Sequence, residues 1–136
     1  MPADGWDEWK KDEANPKIKQ PYYITLRGGE PMFFAALGQF QRGGGMEPRD
    51  GDGFVIITSS SGAGMLDIHD RRPVVLSPEC AAHWLDSELS AAEAEVLTLE
   101  HGLCVEEFEW YPVGKEVGNV RNEGRQLIEQ VSYPLL

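Results

Sequence analysis

The sequence predicts a β-rich α+β fold of short strands, with two adjacent helices between residues 78 and 101. Three observations carry this. Short runs rich in β-branched and aromatic residues recur between Gly, Pro and Asp punctuation. Two helix-start signatures then follow one another directly. After them, alternation returns. Strands grouped apart from helices, rather than alternating with them, give an α+β arrangement. A length of 136 residues suits one domain, taken as 1–136.

"PYYITLR", 21–27, reads as a strand, and "GGEP" as the turn after it. "MFFAALGQF", 32–40, is too short and too closely flanked by Gly and Pro for a helix, so it reads as one buried strand. "QRGGGMEPRDGDG", 41–53, is the most loop-like stretch. "GFVIITSSS", 53–61, is an apolar strand running into a polar turn; "GAGMLDIH", 62–69, has room for one helical turn; "PVVLS", 73–77, is another short strand. Ser77-Pro78-Glu79 then starts a helix: Ser at the N-cap, Pro at the first helical position, acid in the first turn. Cys80, Trp84 and Leu85 are expected to face inward from it. Ser90 with Glu93 is a capping box that opens a second helix over 91–100, and His101-Gly102 closes it, the glycine as a C′ residue. "FEWYPV", 108–113, is a strand, and "GNVRNEGRQLIEQV" a turn followed by a short helix or strand.

Twelve Lys+Arg against 23 Asp+Glu give net charge −11 and a pI near 4.6. That opposes broad phosphate binding, although a local basic patch can act within an acidic molecule. Acid crowds 86–109 (Glu88, Glu93, Glu95, Glu100, Glu106, Glu107, Glu109), while "HDRRP" and "GKEVGNVRNEGR" hold much of the base. No run approaches the roughly 20 apolar residues of a membrane helix, and the opening residues show no signal-peptide core. No membrane partner is expected, and a cytoplasmic location is. Cys80 and Cys104 form no CxxC and have no zinc-type spacing to His, so free buried thiols are expected, with no metal and no cofactor. Nucleotide-loop, zinc-protease and hydrolase motifs are absent.

Three segments hold polar groups that look out of place. In "ADGWDEWKK", a strand would put Glu8 and Trp6 on one face and Asp7 and Trp9 on the other. A carboxylate against indole rings is partly desolvated, which raises its pKa toward acid–base use; a solvated Glu in a terminal segment is the plainer reading. Thr58 and the serines after it either cap a turn or line a pocket. His69, between Asp67 and Asp70 and followed by Arg71 and Arg72, offers a proton-exchanging ring and a phosphate fork; paired charges at a strand start explain the same residues. Composition leaves each of these open.

The blocks "PADGWDEWKK", "QPYYI", "MFFAALG", "GFVIITSSS", "MLDIHDRRPVVLSP" and "YPVGKEVGNVRN" together resemble the SRAP family, the SOS-response-associated peptidase-like proteins that process abasic sites in single-stranded DNA. The likeness runs over essentially the whole chain. It implies a barrel-like fold of short, mostly antiparallel strands with a positively charged groove. It implies a DNA-damage function in which an N-terminal Cys, with its α-amine, captures the abasic aldehyde as a thiazolidine crosslink. By the same resemblance Glu8 and His69 take the acid–base roles, Arg71 a phosphate contact, Thr58 a place near the abasic pocket, and Trp9 a place beside the DNA path; Arg72, beside Arg71, is expected as a further DNA contact. The expected partner is single-stranded DNA with an abasic site.

The family opens Met-Cys-Gly-Arg, whereas this sequence opens Met1-Pro2-Ala3. The expectation is therefore a chain shortened at its N-terminus relative to the family, without the nucleophilic Cys and unable to crosslink alone. Whether it acts as an enzyme is left open. A non-catalytic single-strand DNA binder, or a phage-derived interaction protein forming a homodimer, is the alternative.

Overall fold

A computed structural model describes residues 1–39, 47–62, 64–65 and 68–132. Part of the glycine-rich loop expected at 41–53, together with Leu66 and Asp67, lies outside the described residues.

The central sheet is antiparallel, in the order β10-β3-β2, and comprises β2 (Trp6–Lys11), β3 (Lys19–Leu26) and β10 (Phe108–Pro112). β3 has the β-branched and aromatic content that a doubly covered strand needs. Cross-strand partners set two faces. Trp6, Ile24 and Trp110 share one row; Asp7, Tyr23 and Tyr111 share the next, which faces the other way. The Ile24 row packs into the core with Met32, Phe34, Met65, Val75 and Phe108. The Tyr row is covered by the segment around a 3₁₀ turn at Arg125–Ile128, where Tyr111 Oη donates to Ile128 O at 2.9 Å. Gly5 allows the close approach of β2 to β3. A Cβ there would lie 2.5 Å from Ile24 O and would strike the Tyr23 ring.

β1 (Pro2–Ala3), β4 (Met32–Phe34) and β9 (Val75–Leu76) form a second sheet. β5 (Ala36–Gln39) pairs with β6 (Gly53–Ile56), and β7 (Thr58–Ser60) with β8 (Arg71–Pro73). All these pairings are antiparallel, and among the described residues the sheets do not close into a barrel.

The expected strands 32–40, 53–61 and 73–77 are each divided. The breaks fall at Ala35, Ile57 and Val74, and those residues meet. Ala35 N donates to Val74 O at 2.9 Å, Val74 N to Ile57 O at 2.8 Å, and Ile57 N to Ala35 O at 2.9 Å. This closed ring of three hydrogen bonds is where three strands leave one partner for another. Satisfying each other's backbone lets them turn inside the protein without orphaned groups. Of the serines expected in a turn, Ser59 and Ser60 consequently lie in β7, and Ser61 follows it.

α1 spans Pro78–Trp84, with Ser77 Oγ accepting from Cys80 N at 3.2 Å. α2 spans Ala91–Glu100, with both halves of the Ser90–Glu93 capping box formed. Cys80, Ala81 and Trp84 pack on Ala35, Val74 and Leu76, as spacing i, i+4 requires. Leu85 does not face inward. As the C-cap residue it has left that stripe, and it is 83% exposed. His101 is the C-cap of α2, but Gly102 is not in a left-handed conformation. It bridges to Leu76 and lies beside Val74. Both cysteines are free; Cys104 is exposed, not buried.

Candidate functional site

Glu8 and His69 come from segments 61 positions apart (69 − 8), and the fully buried Phe108 ring brings those segments together. Trp6 meets it edge-on, with centroids 5.6 Å apart, and meets Phe34 likewise at 5.9 Å. The Arg72 guanidinium lies over the same ring, 5.6 Å from its centroid. "WDEW" and "HDRRP" are thus anchored on one side chain.

On β2, Glu8 shares the Trp6 face. Burial pushes its carboxyl above the ordinary value. The His69 charge and the Trp6 indole N–H draw it part of the way back, and neighbouring Asp7 pushes it up again. Among the described residues no hydrogen bond or ion pair joins Glu8 to His69 directly; their influence is through space. Asp7, on the opposite face, is also pushed up by burial, and its Oδ1 is buried with no hydrogen-bond partner among the described residues.

His69 Nδ1 is held locally. It lies 3.1 Å from Arg71 N, which donates to it, 3.0 Å from Arg71 O, and 3.4 Å from Asp70 Oδ1. A neutral ring accepting from Arg71 N carries its proton on Nε2. A protonated ring turns the Nδ1 contact into donation to Arg71 O and pairing with Asp70. The other neutral tautomer, which donates Nδ1–H to Arg71 O, is the one that leaves a lone pair on Nε2 to take up a proton.

Arg71 and Arg72 alternate across β8 and do different things. Arg71 is exposed, and its Nη2 donates to Thr58 O at 2.7 Å and to Thr58 Oγ1 at 2.9 Å, which fixes the guanidinium while leaving its other N–H groups. Arg72 turns inward. Its Nη1 donates to Leu103 O at 2.9 Å, and burial lowers its pKa against the opposing pull of Cys104 and Glu106. A cavity of about 290 Å³ beside Thr58 and Arg71 is lined also by Ser59, Ser60, Thr98 and Leu99; neither Glu8 nor His69 lines it. Trp9 is 37% exposed, opposite Pro21, on the face of β2 away from Glu8.

Hydrogen bonds therefore join His69, Arg71 and Thr58 in one group, Glu8 bears on His69 only as a charge through space, and Trp9 and Arg72 stand apart. Sequence reasoning missed Phe108, the floor shared by both segments. Its signal was the alternation of "FEWYP", which marks a buried row without saying what lies on it. Among the described residues no group of His, Cys, Asp and Glu is placed to hold a metal ion. No helix among them is long and apolar enough to cross a membrane.

This α+β arrangement is that of a known family. The model of the SOS response associated peptidase (SRAP) family matches residues 1–120, and the chain belongs to that family. It is 44% identical over 131 residues to the abasic site processing protein YedK of Escherichia coli, covering 95% of this chain and 55% of the relative. It is 31% identical over 129 residues to the abasic site processing protein YoqW of Bacillus subtilis, with the same two coverages. Among solved structures, a phage-related protein of Bordetella bronchiseptica superposes with a TM-score of 0.71 at 46% identity, covering 86% of this chain and 53% of that one. A Bacteroides thetaiotaomicron protein, at 22% identity and a TM-score of 0.74, shows the same fold. The chain spans about half the length of the curated relatives it matches.

Proposed function

We propose that this chain serves DNA-damage processing in the SOS response by binding single-stranded DNA at abasic sites in the cytoplasm, with Glu8 and His69 handling protons there. The observation that carries the reading is a carboxyl raised by burial within charge reach of a histidine whose Nδ1 can donate to Arg71 O, the tautomer that frees Nε2 to take a proton. Such a pair suits the loss of water or hydroxide that imine chemistry on an abasic aldehyde requires. Thr58 and Arg71 form the phosphate contact, since Thr58 fixes one end of the fork and leaves the rest to an anion. Trp9 offers an exposed ring for stacking. Arg72 supports this face from behind through Leu103 and Phe108.

Within residues 1–136 the reading assigns binding and proton transfer but no nucleophile. Cys80 packs from α1 against Ala35, Val74 and Leu76, and Cys104 lies beside Arg72. The test is fluorescence anisotropy with single-stranded DNA, intact or holding one abasic site, over a salt series, with a denaturing gel in parallel. Salt-dependent binding, tighter for the abasic strand and weakened by Arg71→Ala with a salt slope smaller by about one, is expected. No binding at low salt would refute the reading, and a slow band on the gel would refute the absence of a nucleophile.

One observation favours a second reading. Leu37 and Val55, which face each other across β5–β6, are 56% and 62% exposed, and Phe54 is 55% exposed. They suit an interaction surface, a homodimer contact included. Light scattering decides it: a concentration-independent monomer mass rules the homodimer out.

A further inference from the structure

Trp6 has a buried indole N–H with no hydrogen bond of full geometry among the described residues. Such a donor is costly to leave unmade. Its ring has no freedom to seek a partner, because Phe34 and Phe108 hold it edge-on from two sides, at interplanar angles of 75° and 80°. Two residues along the same face of β2 stands Glu8. We propose that Trp6 is a positioning residue for Glu8: its fixed indole N–H is the donor that the Glu8 carboxylate takes when ionised and loosens when protonated.

This deepens the acid–base role proposed above and rests on that reading for its meaning in function. The charged groups that bear on Glu8 are Asp7 on its own strand, which opposes ionisation, and His69 before β8, which favours it. Desolvation is the largest influence and pushes the carboxyl up. A donor locked beside it acts against that push and favours one carboxylate geometry. The two together keep a half-buried acid able both to give and to take a proton, where burial alone would hold it protonated further up the pH scale.

The test is a titration of the Glu8 side-chain carboxyl by ¹³C NMR on the 136-residue chain, without DNA. Trp6→Phe keeps an aromatic ring between Phe34 and Phe108 and removes the N–H. The expected result is a Glu8 midpoint higher in Trp6→Phe than in wild type; an unchanged or lower midpoint overturns the proposal. The second measurement needs no change at Trp6. The indole proton resonance of Trp6 should step with pH at the Glu8 midpoint, and the step should vanish in Glu8→Gln. A resonance that ignores that midpoint, or one that follows the His69 midpoint instead, also overturns it. DNA binding enters neither measurement. A chain that shows both NMR results but binds no abasic strand retains the positioning role and loses the function, and the reverse pattern does the opposite.

Discussion

The joint use of Phe108 by Trp6 and Arg72 can be measured. Phe108→Leu keeps an apolar residue at a fully buried site and removes the ring. Lost packing and residual cavity cost about 1–2 kcal/mol by comparison with larger truncations. The edge contact with Trp6, at 5.6 Å, adds about 0.5–1.5 kcal/mol. The Arg72 guanidinium, 5.6 Å above the ring and half-buried, adds roughly 0.5–2 kcal/mol. The expected total is about 2–5.5 kcal/mol by urea unfolding, against about 0.5–1.5 kcal/mol for Ile24→Val, a buried neighbour with no ring of its own to lose. The decisive number is the coupling in a double-mutant cycle of Phe108→Leu with Arg72→Met. Methionine keeps much of the stem and loses the charge and the bond to Leu103 O, a loss common to both arms of the cycle. A coupling of about 0.5–2 kcal/mol is expected. A value within about 0.3 kcal/mol of zero would show that Arg72 and the ring are neighbours without being partners.

Gly5→Ala should lower the urea midpoint by the equivalent of roughly 1–3 kcal/mol, since the new methyl meets Ile24 O and not just the movable Tyr23 ring; a change below about 0.5 kcal/mol would mean that β2 shifts freely. Asp7 has a folded-state pKa raised above 3.8 by burial, so the folded protein holds more protons than the unfolded one, and stability falls as pH rises through that window. Asp7→Asn should therefore gain on wild type as pH rises from below 3.8 toward neutrality in parallel thermal melts, and a gap that stays flat with pH counts against burial as the cause. Lys11 stands directly opposite Lys19 across β2 and β3, a like-charge pair. Lys19→Glu should raise stability by a few tenths of a kcal/mol, on the order of 0.2–1 kcal/mol, while weakening single-strand DNA binding; tighter binding would place the DNA elsewhere.

Local signals were readable wherever the chain writes its own boundary. Ser77-Pro78 and the Ser90–Glu93 box act within one turn, and both helices start where those residues stand. The half-burial of Glu8 was only half legible: Trp6 on the same strand face suggested it, but a solvated Glu in a terminal segment fitted the same residues. The splits at Ala35, Ile57 and Val74 were not legible, because each depends on backbone groups about 20 or 40 residues away, and apolar runs look alike whether or not they bend. The roles of Arg71 and Arg72 were half legible. With the strand begun at Pro73, nothing separated them; with the strand running Arg71–Pro73, alternation alone sends one outward and the other in. Phe108 as the common floor is a tertiary fact, visible only once β10 lies against β3.

The net charge of −11 looks at first like an argument against any polyanion as partner. Screening limits its force. At physiological salt the Debye length is about 8 Å, so an incoming phosphate senses chiefly the side chains near it. Near the candidate site those include the free part of the Arg71 fork and, along β2 past Glu8 and Trp9, Lys10 and Lys11 with Lys19 beside them. The like-charge contact of Lys11 and Lys19 weakens the strand pair that carries it, and a phosphate between them would turn that repulsion into attraction. The glutamates of α2 stand on a helix whose Thr98 and Leu99 line the cavity beside Arg71, so they repel DNA most at low salt and less as screening grows. Binding should accordingly lose less affinity with rising salt than the number of local cations implies, because the screening that weakens the contact also removes the repulsion around it.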